Sequence, residues 1–231
     1  MTLPAEKRDS SLMRAMFHQI APRYDFFTRA FSFGMDTGWK RALIKEARLP
    51  EKPLVLDLAS GTGDFSLLIR SQRPGARPVA TDLTERMLTL ARGRGVDLAV
   101  CSDAFLLPFP DGAFDCVCIG YGLRNFSNLE KAVSEIARVT RAGGMLLSLD
   151  FFRPANPLVR RLFLGHLRAQ GALFGLLLHG RARTYSYISD SIRSFVSIDE
   201  FSGLLRASGY QRVSQRSFLL NAIGLHWATR G

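Results

Sequence analysis

Cysteine is scarce in this chain. Cys101, Cys116 and Cys118 form an odd set without metal-ligand spacing, so no zinc site is implied. With Cys116-Val117-Cys118-Ile119 reading as a buried strand, they are expected to be inert, reduced thiols of a cytoplasmic protein. Histidine is equally sparse: His18, His166, His179 and His226 are scattered without ligand spacing, and lone histidines are more often structural than catalytic. No metal is expected. Long apolar runs are missing too. The strongest, Ala172 to Leu178, is far too short to span a bilayer, and the N-terminus has no basic-then-apolar leader pattern. The chain is therefore expected to be soluble or peripheral. No internal repeat is visible. Acidic residues are in deficit, 20 against 31 lysines and arginines for a formal charge of +11 and a pI near 10.3. Such a balance favours an anionic partner: nucleic acid, membrane surface or acidic substrate. What is plentiful is apolar content, 47% over 231 residues, enough for the core of one large domain.

The chain is organised around Leu54-Val55-Leu56-Asp57-Leu58-Ala59-Ser60-Gly61-Thr62-Gly63-Asp64. An apolar run reads as a buried strand, ends near a carboxylate, and passes through a glycine turn into a helix. Gly61 and Gly63 permit positive φ and close approach to a ligand. Dinucleotide loops share this design but want a third glycine where this chain has Ser66. A carboxylate at the strand end would repel a phosphate in the loop and welcome a cationic ligand, for which S-adenosylmethionine is the candidate. A second short strand, Val79-Ala80-Thr81-Asp82, ends in an acid about 20 residues beyond the loop, where βαβ geometry puts a carboxylate on ribose hydroxyls. Capping of the helix that starts near Thr84 is the competing role for Asp82.

Strand and helix signals then alternate, which means a parallel sheet covered on both faces. Strands are expected near 54–58, 78–82, 98–101, 115–120 and 144–150, and helices near 64–72, 84–93 and 129–140. A helix near 198–208 and strands near 211–218 and 222–228 close the chain. Ser127-Asn128-Leu129-Glu130 and Ser197-Ile198-Asp199-Glu200 have capping-box spacing, which makes Ser127 a structural residue. The strand ends where a ligand should lie carry Asp57, Asp82, Asp103, Gly120 and Asp150. Residues 1–50 read as a helical segment with an aromatic cluster at Tyr24, Phe26, Phe27, Phe31 and Phe33, which joins the core or, placed just before an α/β domain, folds over the ligand as a lid.

Leu54 to Asp64, Asp103-Ala104 followed by Leu107 to Asp115, and Ala142-Gly143-Gly144 resemble the motifs of class I S-adenosylmethionine-dependent methyltransferases. Gly122-Leu123-Arg124-Asn125, Tyr24-Asp25, Ser32-Phe33-Gly34, Trp39-Lys40 and Tyr185-Ser186-Tyr187-Ile188 with Ser191-Ile192 narrow this to the quinone C-methyltransferases of menaquinone and ubiquinone synthesis. The resemblance implies a single Rossmann-like α/β domain whose seven-stranded, mostly parallel sheet has its last strand antiparallel. It also implies cofactor contacts at Thr62 in the Gly61–Gly63 loop, at Asp82 on the ribose, at Asp103 and Ala104 on the adenine and at Gly120 near the methionine part. Physics adds Asp57 as a partner for the cofactor's ammonium group, directly or through water.

The expected acceptor is a polyprenylated quinol. Its ring carbon becomes nucleophilic when a hydroxyl ionises, and holding a phenol of pKa about 10 ionised near neutrality needs ~4 kcal/mol of preferential stabilisation. Arg124 is the candidate cation and Asn125 an oriented donor. Arg124 stays protonated, so the base is left open among a water, Tyr24, Asp150 and a histidine. Residues 151–195 hold seven arginines, one acid and many leucines. They read as a helical insertion that docks on anionic lipid at the inner face of the cytoplasmic membrane, with a helical cover on the sheet whose basic face is merely solvated as the alternative, or both at once. Nucleic acid is disfavoured because the positive charge sits among apolar residues without interleaved stacking aromatics. A phospholipid N-methyltransferase and a non-catalytic cofactor-binding subunit are the alternatives, and a homodimer is left open.

Overall fold

The computed structural model describes residues 10–21, 29, 31–32, 34–179 and 186–231. The expectations resting on Tyr24, Phe26, Phe27, Phe33 and Tyr185 lie outside the described residues.

Seven strands form one sheet: β1 (Leu54–Leu58), β2 (Arg77–Asp82), β3 (Ala99–Cys101), β4 (Phe114–Gly120), β5 (Thr140–Phe151), β6 (Tyr210–Phe218) and β7 (Ile223–Arg230). Their order is β3-β2-β1-β4-β5-β7-β6. Strands β1 to β5 pair in parallel, and β7 runs antiparallel to both β5 and β6. Seven strands, mostly parallel pairing and a reversed last strand are what the resemblance implied. β5 starts earlier than the 144–150 pattern suggests, and its ladder to β4 shifts register between Phe114 and Cys116.

Alternation along the central strands sends neighbouring residues to opposite faces. Val55, Cys116, Cys118, Leu147 and Leu149 join one core. It is covered by α2 (Asp36–Glu46), α3 (Asp64–Gln72), α6 (Pro157–His179) and α7 (Ser186–Arg193). Leu56, Leu58, Val117, Ile119 and Leu146 join the other core, beneath α5 (Leu129–Val139) and α8 (Ile198–Ala207). Two further helices complete the described chain, α1 (Ser10–Ile20) and α4 (Glu85–Gly93). Cys116 and Cys118 are buried on β4, their sulfurs 3.7 Å apart.

Helix starts follow local capping chemistry, with one correction. At α8 the reciprocal box forms: Glu200 N donates to Ser197 Oγ at 3.3 Å and Ser197 N donates to Glu200 Oε2 at 2.6 Å. At α5 the cap is Asn128, whose Oδ1 accepts from Lys131 N at 2.8 Å. Ser127 stands one residue too early to reach the first turn's amides and instead borders a cavity.

Candidate functional site

The sheet order reverses between β1 and β4, so a crevice opens above their carboxyl ends. The turn that leaves β1 is held in left-handed backbone at Ala59 (φ 51°), Gly61 (55°) and Gly63 (83°). Opposite it, Tyr121 after β4 has φ 59°. Non-glycine residues in this region store strain, which clusters where a loop must be shaped for a ligand. Gly63 begins α3, and a Cβ there would lie 2.5 Å from Val96 Cγ2. That contact, not the φ alone, reserves the position for glycine.

Asp82 organises the turn. Its Oδ2 accepts from Gly61 N at 2.9 Å and its Oδ1 from Thr84 N at 2.8 Å, so one carboxylate closes the turn before α4 and braces the glycine loop; the N-cap of α4 is Thr84, not Asp82. Burial raises its pKa against these two hydrogen bonds. From the other side, Arg94 donates to Thr62 O at 3.0 Å, Thr62 Oγ1 at 2.7 Å and Asp64 Oδ1 at 2.8 Å. Lys40, 5% exposed, reaches Asp64 Oδ2 at 2.9 Å and Asp36 Oδ2 at 3.2 Å. Burial would lift the Asp64 carboxyl, but Lys40 and Arg94 outweigh it and hold the group below its usual range.

Two adjoining cavities of about 60 and 80 Å³ run along this edge. Asp103, Ala104, Thr81 and Ser102 line the first; Gly61, Tyr121, Gly122 and Phe17 line the second; Met13, Ala59, Asp82, Asn125 and Phe126 border both. Helix α1 forms the roof through Met13 and Phe17, and Arg86 ties it to α4 by donating to His18 O at 3.0 Å. Helix α1 borders the cavities through two side chains that the aromatic-cluster reading had not named. Both cavities fall below the ~300 Å³ at which ligand pockets begin.

Of the expected residues, Gly61, Asp82, Asp103, Ala104 and Asn125 come together around these cavities. Gly63, Thr62 and Gly120 stand behind: Thr62 serves Arg94, and Gly120 lets the Phe65 ring approach to where a Cβ would be 2.7 Å away. Asp57 is turned toward α3, its Oδ2 accepting from Ser66 N at 2.8 Å and Ser66 Oγ at 2.7 Å. Arg124 is 5% exposed and its Nη1 donates to Asp150 Oδ1 at 2.8 Å and Tyr121 O at 2.7 Å. It borders neither cavity among the described residues; Asn125, anchored through Nδ2 to Tyr121 O at 3.2 Å, does. Lys40 had a legible signal: it occupies the core-facing stripe of α2 with Asp36, Trp39, Leu43 and Ile44, where a lone lysine demands a buried acid. Arg94 had none, because its partners lie 30 and 32 residues away.

The site's chemistry suits a nucleoside. Asp82 and Asp103 offer acceptors for hydroxyl and amino groups, while Thr81 Oγ1 and Ser102 Oγ border the first cavity buried and without a partner among the described residues. Ligand hydroxyls would satisfy such atoms.

Asp57 yields a pH test. Burial raises its pKa to about 7 despite Ser66 and Lys40. A carboxyl whose folded pKa exceeds its unfolded value stabilises the fold fully only below about pH 4, and that contribution fades as pH climbs toward 7. Asp57→Asn removes the buried charge and retains an oxygen for Ser66. Urea unfolding should therefore find the variant gaining on the parent between about pH 4 and 7, by up to the order of 4 kcal/mol, and no further above that. Parallel curves for the two proteins would mean that Asp57 is ionised at no cost.

A family model described as the ubiE/COQ5 methyltransferase family matches residues 4–230. A demethylmenaquinone methyltransferase of Thermus thermophilus is 37% identical over 200 residues, covering 84% of this chain and 91% of that protein. One of Deinococcus radiodurans is 35% identical, covering 95% and 93%. A ubiquinone/menaquinone biosynthesis C-methyltransferase UbiE of Desulfotalea psychrophila is 34% identical, covering 93% and 89%. Among solved structures, an S-adenosylmethionine-dependent methyltransferase of Thermotoga maritima superposes with a TM-score of 0.69 at 18% identity, covering 95% of this chain and all of that one. That likeness bears on the fold.

Proposed function

The chain belongs to the ubiE/COQ5 methyltransferase family and is an S-adenosylmethionine-dependent C-methyltransferase of quinone biosynthesis, and we propose that its acceptor is a polyprenylated demethylmenaquinol, met at a membrane surface. A benzoquinol counterpart is the second acceptor, since the Desulfotalea relative's name covers both quinones. The observation that carries the reading is the continuous edge from Asp103 through Asp82 to Asn125 and Tyr121, roofed by Phe17. It offers acids at one end and an amide with apolar walls at the other.

Bound S-adenosylmethionine supplies an electrophilic sulfonium methyl. The chain's own residues hold its nucleoside between Asp82 and Asp103 and prepare the acceptor. Asn125 orients the quinol hydroxyl. Among the described residues Arg124 borders neither cavity, and it shares its charge with Asp150; packed 5.4 Å over the Phe151 ring, it would act on the phenolate at a distance, through the field of a pair that the fold holds in place. Asp150 lies behind Arg124, and His226 is buried with its pKa pushed down to about 4 by desolvation, so neither takes the proton directly. A water, or Tyr24, which lies outside the described residues, is left to take it.

Membrane contact is supported by α6. Leu158, Leu162, Leu173 and Leu176 are 54–66% exposed and fall within an arc of about 60° at 100° per residue. They form an apolar stripe about 27 Å long on the outward side of a helix whose Leu164 and Leu167 already face the core. Among the described residues no helix is long and apolar enough to cross a bilayer, which leaves this helix to lie in the interface. The test is product analysis after incubation with methyl-labelled S-adenosylmethionine and, separately, short-chain demethylmenaquinol, short-chain benzoquinol and phosphatidylethanolamine. Label on the ring carbon of a quinol is expected; label only in the phospholipid, or none, would overturn the reading.

A further inference from the structure

Away from the cofactor crevice, a cleft of about 1020 Å³ lies where α6 meets the α7–α8 junction. Five arginines line it: Arg153, Arg160, Arg161, Arg168 and Arg193. Two of them are neutralised. Arg153 forks onto Glu200 at 2.9 and 3.1 Å and donates to Phe195 O, and Arg168 pairs with Asp190 at 3.0 Å. Among the described residues no carboxylate lies in ion-pairing range of Arg160, Arg161 or Arg193, so the cleft carries three uncompensated positive charges. Gathering like charges in a concave, partly apolar site costs free energy that a bound anion restores. Guanidinium forks match phosphate oxygens in particular.

The occupant's nature follows from what stands beside the cleft. Arg160, Arg161 and Arg168 look into it from the same helix that presents the exposed leucine stripe. On a helical wheel the centres of the two faces are separated by only about 120°. The aromatic in the lining, Phe195, is 8% exposed and packs against Phe152, so it offers no stacking platform for a base. We propose that this cleft receives the phosphodiester headgroup of an anionic phospholipid while the leucines of α6 rest among its acyl chains. The assignment rests on the membrane reading above and adds a specific headgroup site to it. By seating one lipid, the cleft orients the protein on the bilayer in which its prenylated substrate resides.

The test is co-sedimentation with vesicles of phosphatidylcholine alone and with phosphatidylglycerol added, near 0.1 M salt. The combined Arg160→Gln, Arg161→Gln and Arg193→Gln variant is compared with a charge-matched control changed at the exposed Arg48, Arg77 and Arg212. The cleft variant should lose about 100-fold in partition to the anionic vesicles and the control less than about 5-fold. Soluble glycerophosphoglycerol should compete with the parent protein's binding. Equal losses in the two variants would reduce the cleft to general charge and overturn the proposal. Unchanged sedimentation of the cleft variant would overturn it as well, and so would loss of binding to an RNA oligonucleotide alone. Whether the parent protein methylates a short-chain quinol in detergent is read separately. A parent that sediments through the cleft yet methylates no quinol overturns only the reaction, and one that methylates quinol while the cleft variant still sediments overturns only the headgroup site.

Discussion

Arg124→Leu is expected to cost both stability and turnover. Asp150 is 0% exposed and its pKa is already raised by burial despite Arg124. Deleting the guanidinium leaves a buried carboxyl without its cation, a loss of about 3–5 kcal/mol when one partner of such a pair is removed. Methyl transfer should fall by about 10² or more, on the order of 3 kcal/mol. The two effects separate in the double variant Arg124→Leu with Asp150→Leu. Replacing a buried pair by apolar residues of similar volume is often neutral or better for stability, so the melting temperature should recover. The rate should stay low and climb as pH is raised, because the quinol must then ionise unaided. Arg124→Lys should lie between parent and leucine variant, since an ammonium keeps the charge, but its different stem does not put a donor where Nη1 serves both Asp150 and Tyr121 O. Single-turnover rates against pH, beside thermal unfolding, check this. A double variant that regains both stability and rate would make the pair a scaffold for the Gly122–Asn125 turn and nothing more.

Asp82→Ala should nearly abolish cofactor binding. The side chain braces Gly61 N and Thr84 N at 2.9 and 2.8 Å and presents the acid that borders both cavities. Losing charge-assisted bonds to two ribose hydroxyls and loosening the loop together should weaken affinity by on the order of 3 kcal/mol, more than a hundredfold in Kd. The fold itself should lose on the order of 2 kcal/mol, two local hydrogen bonds at about 1 kcal/mol each. Asp82→Asn keeps an oxygen for one amide and should fall between the two. Titration calorimetry with S-adenosylmethionine decides it, and unchanged affinity in the alanine variant would move the nucleoside elsewhere.

Local pattern alone determined a large part of this protein. The strand Leu54–Leu58 and the helix Asp64–Gln72 were legible to the residue, because an apolar run, two glycines and an amphipathic stretch each report on a few neighbouring dihedrals. Of the four acids read at the strand ends, Asp82 and Asp103 border the cavities at the carboxyl edge of the sheet, where a parallel sheet places its ligand; Asp57 and Asp150 are turned to Ser66 and Arg124 instead. Even the misplaced cap at Ser127 erred by a single residue. The tertiary structure decided the rest, and each case involves partners far apart in sequence. Lys40 finds Asp64 24 residues on, Arg124 finds Asp150 26 residues on, and Arg153 finds Glu200 47 residues on. Arg124, read from sequence as a cation facing the substrate, is committed to a carboxylate that only the pairing of β4 with β5 brings within 2.8 Å. The basic cleft exists because α6 packs across α7 while β7 slips between β5 and β6. Composition had announced an excess of arginine, but which of those charges are neutralised depends on distances of a few ångströms between helices, and no periodicity in the chain encodes those.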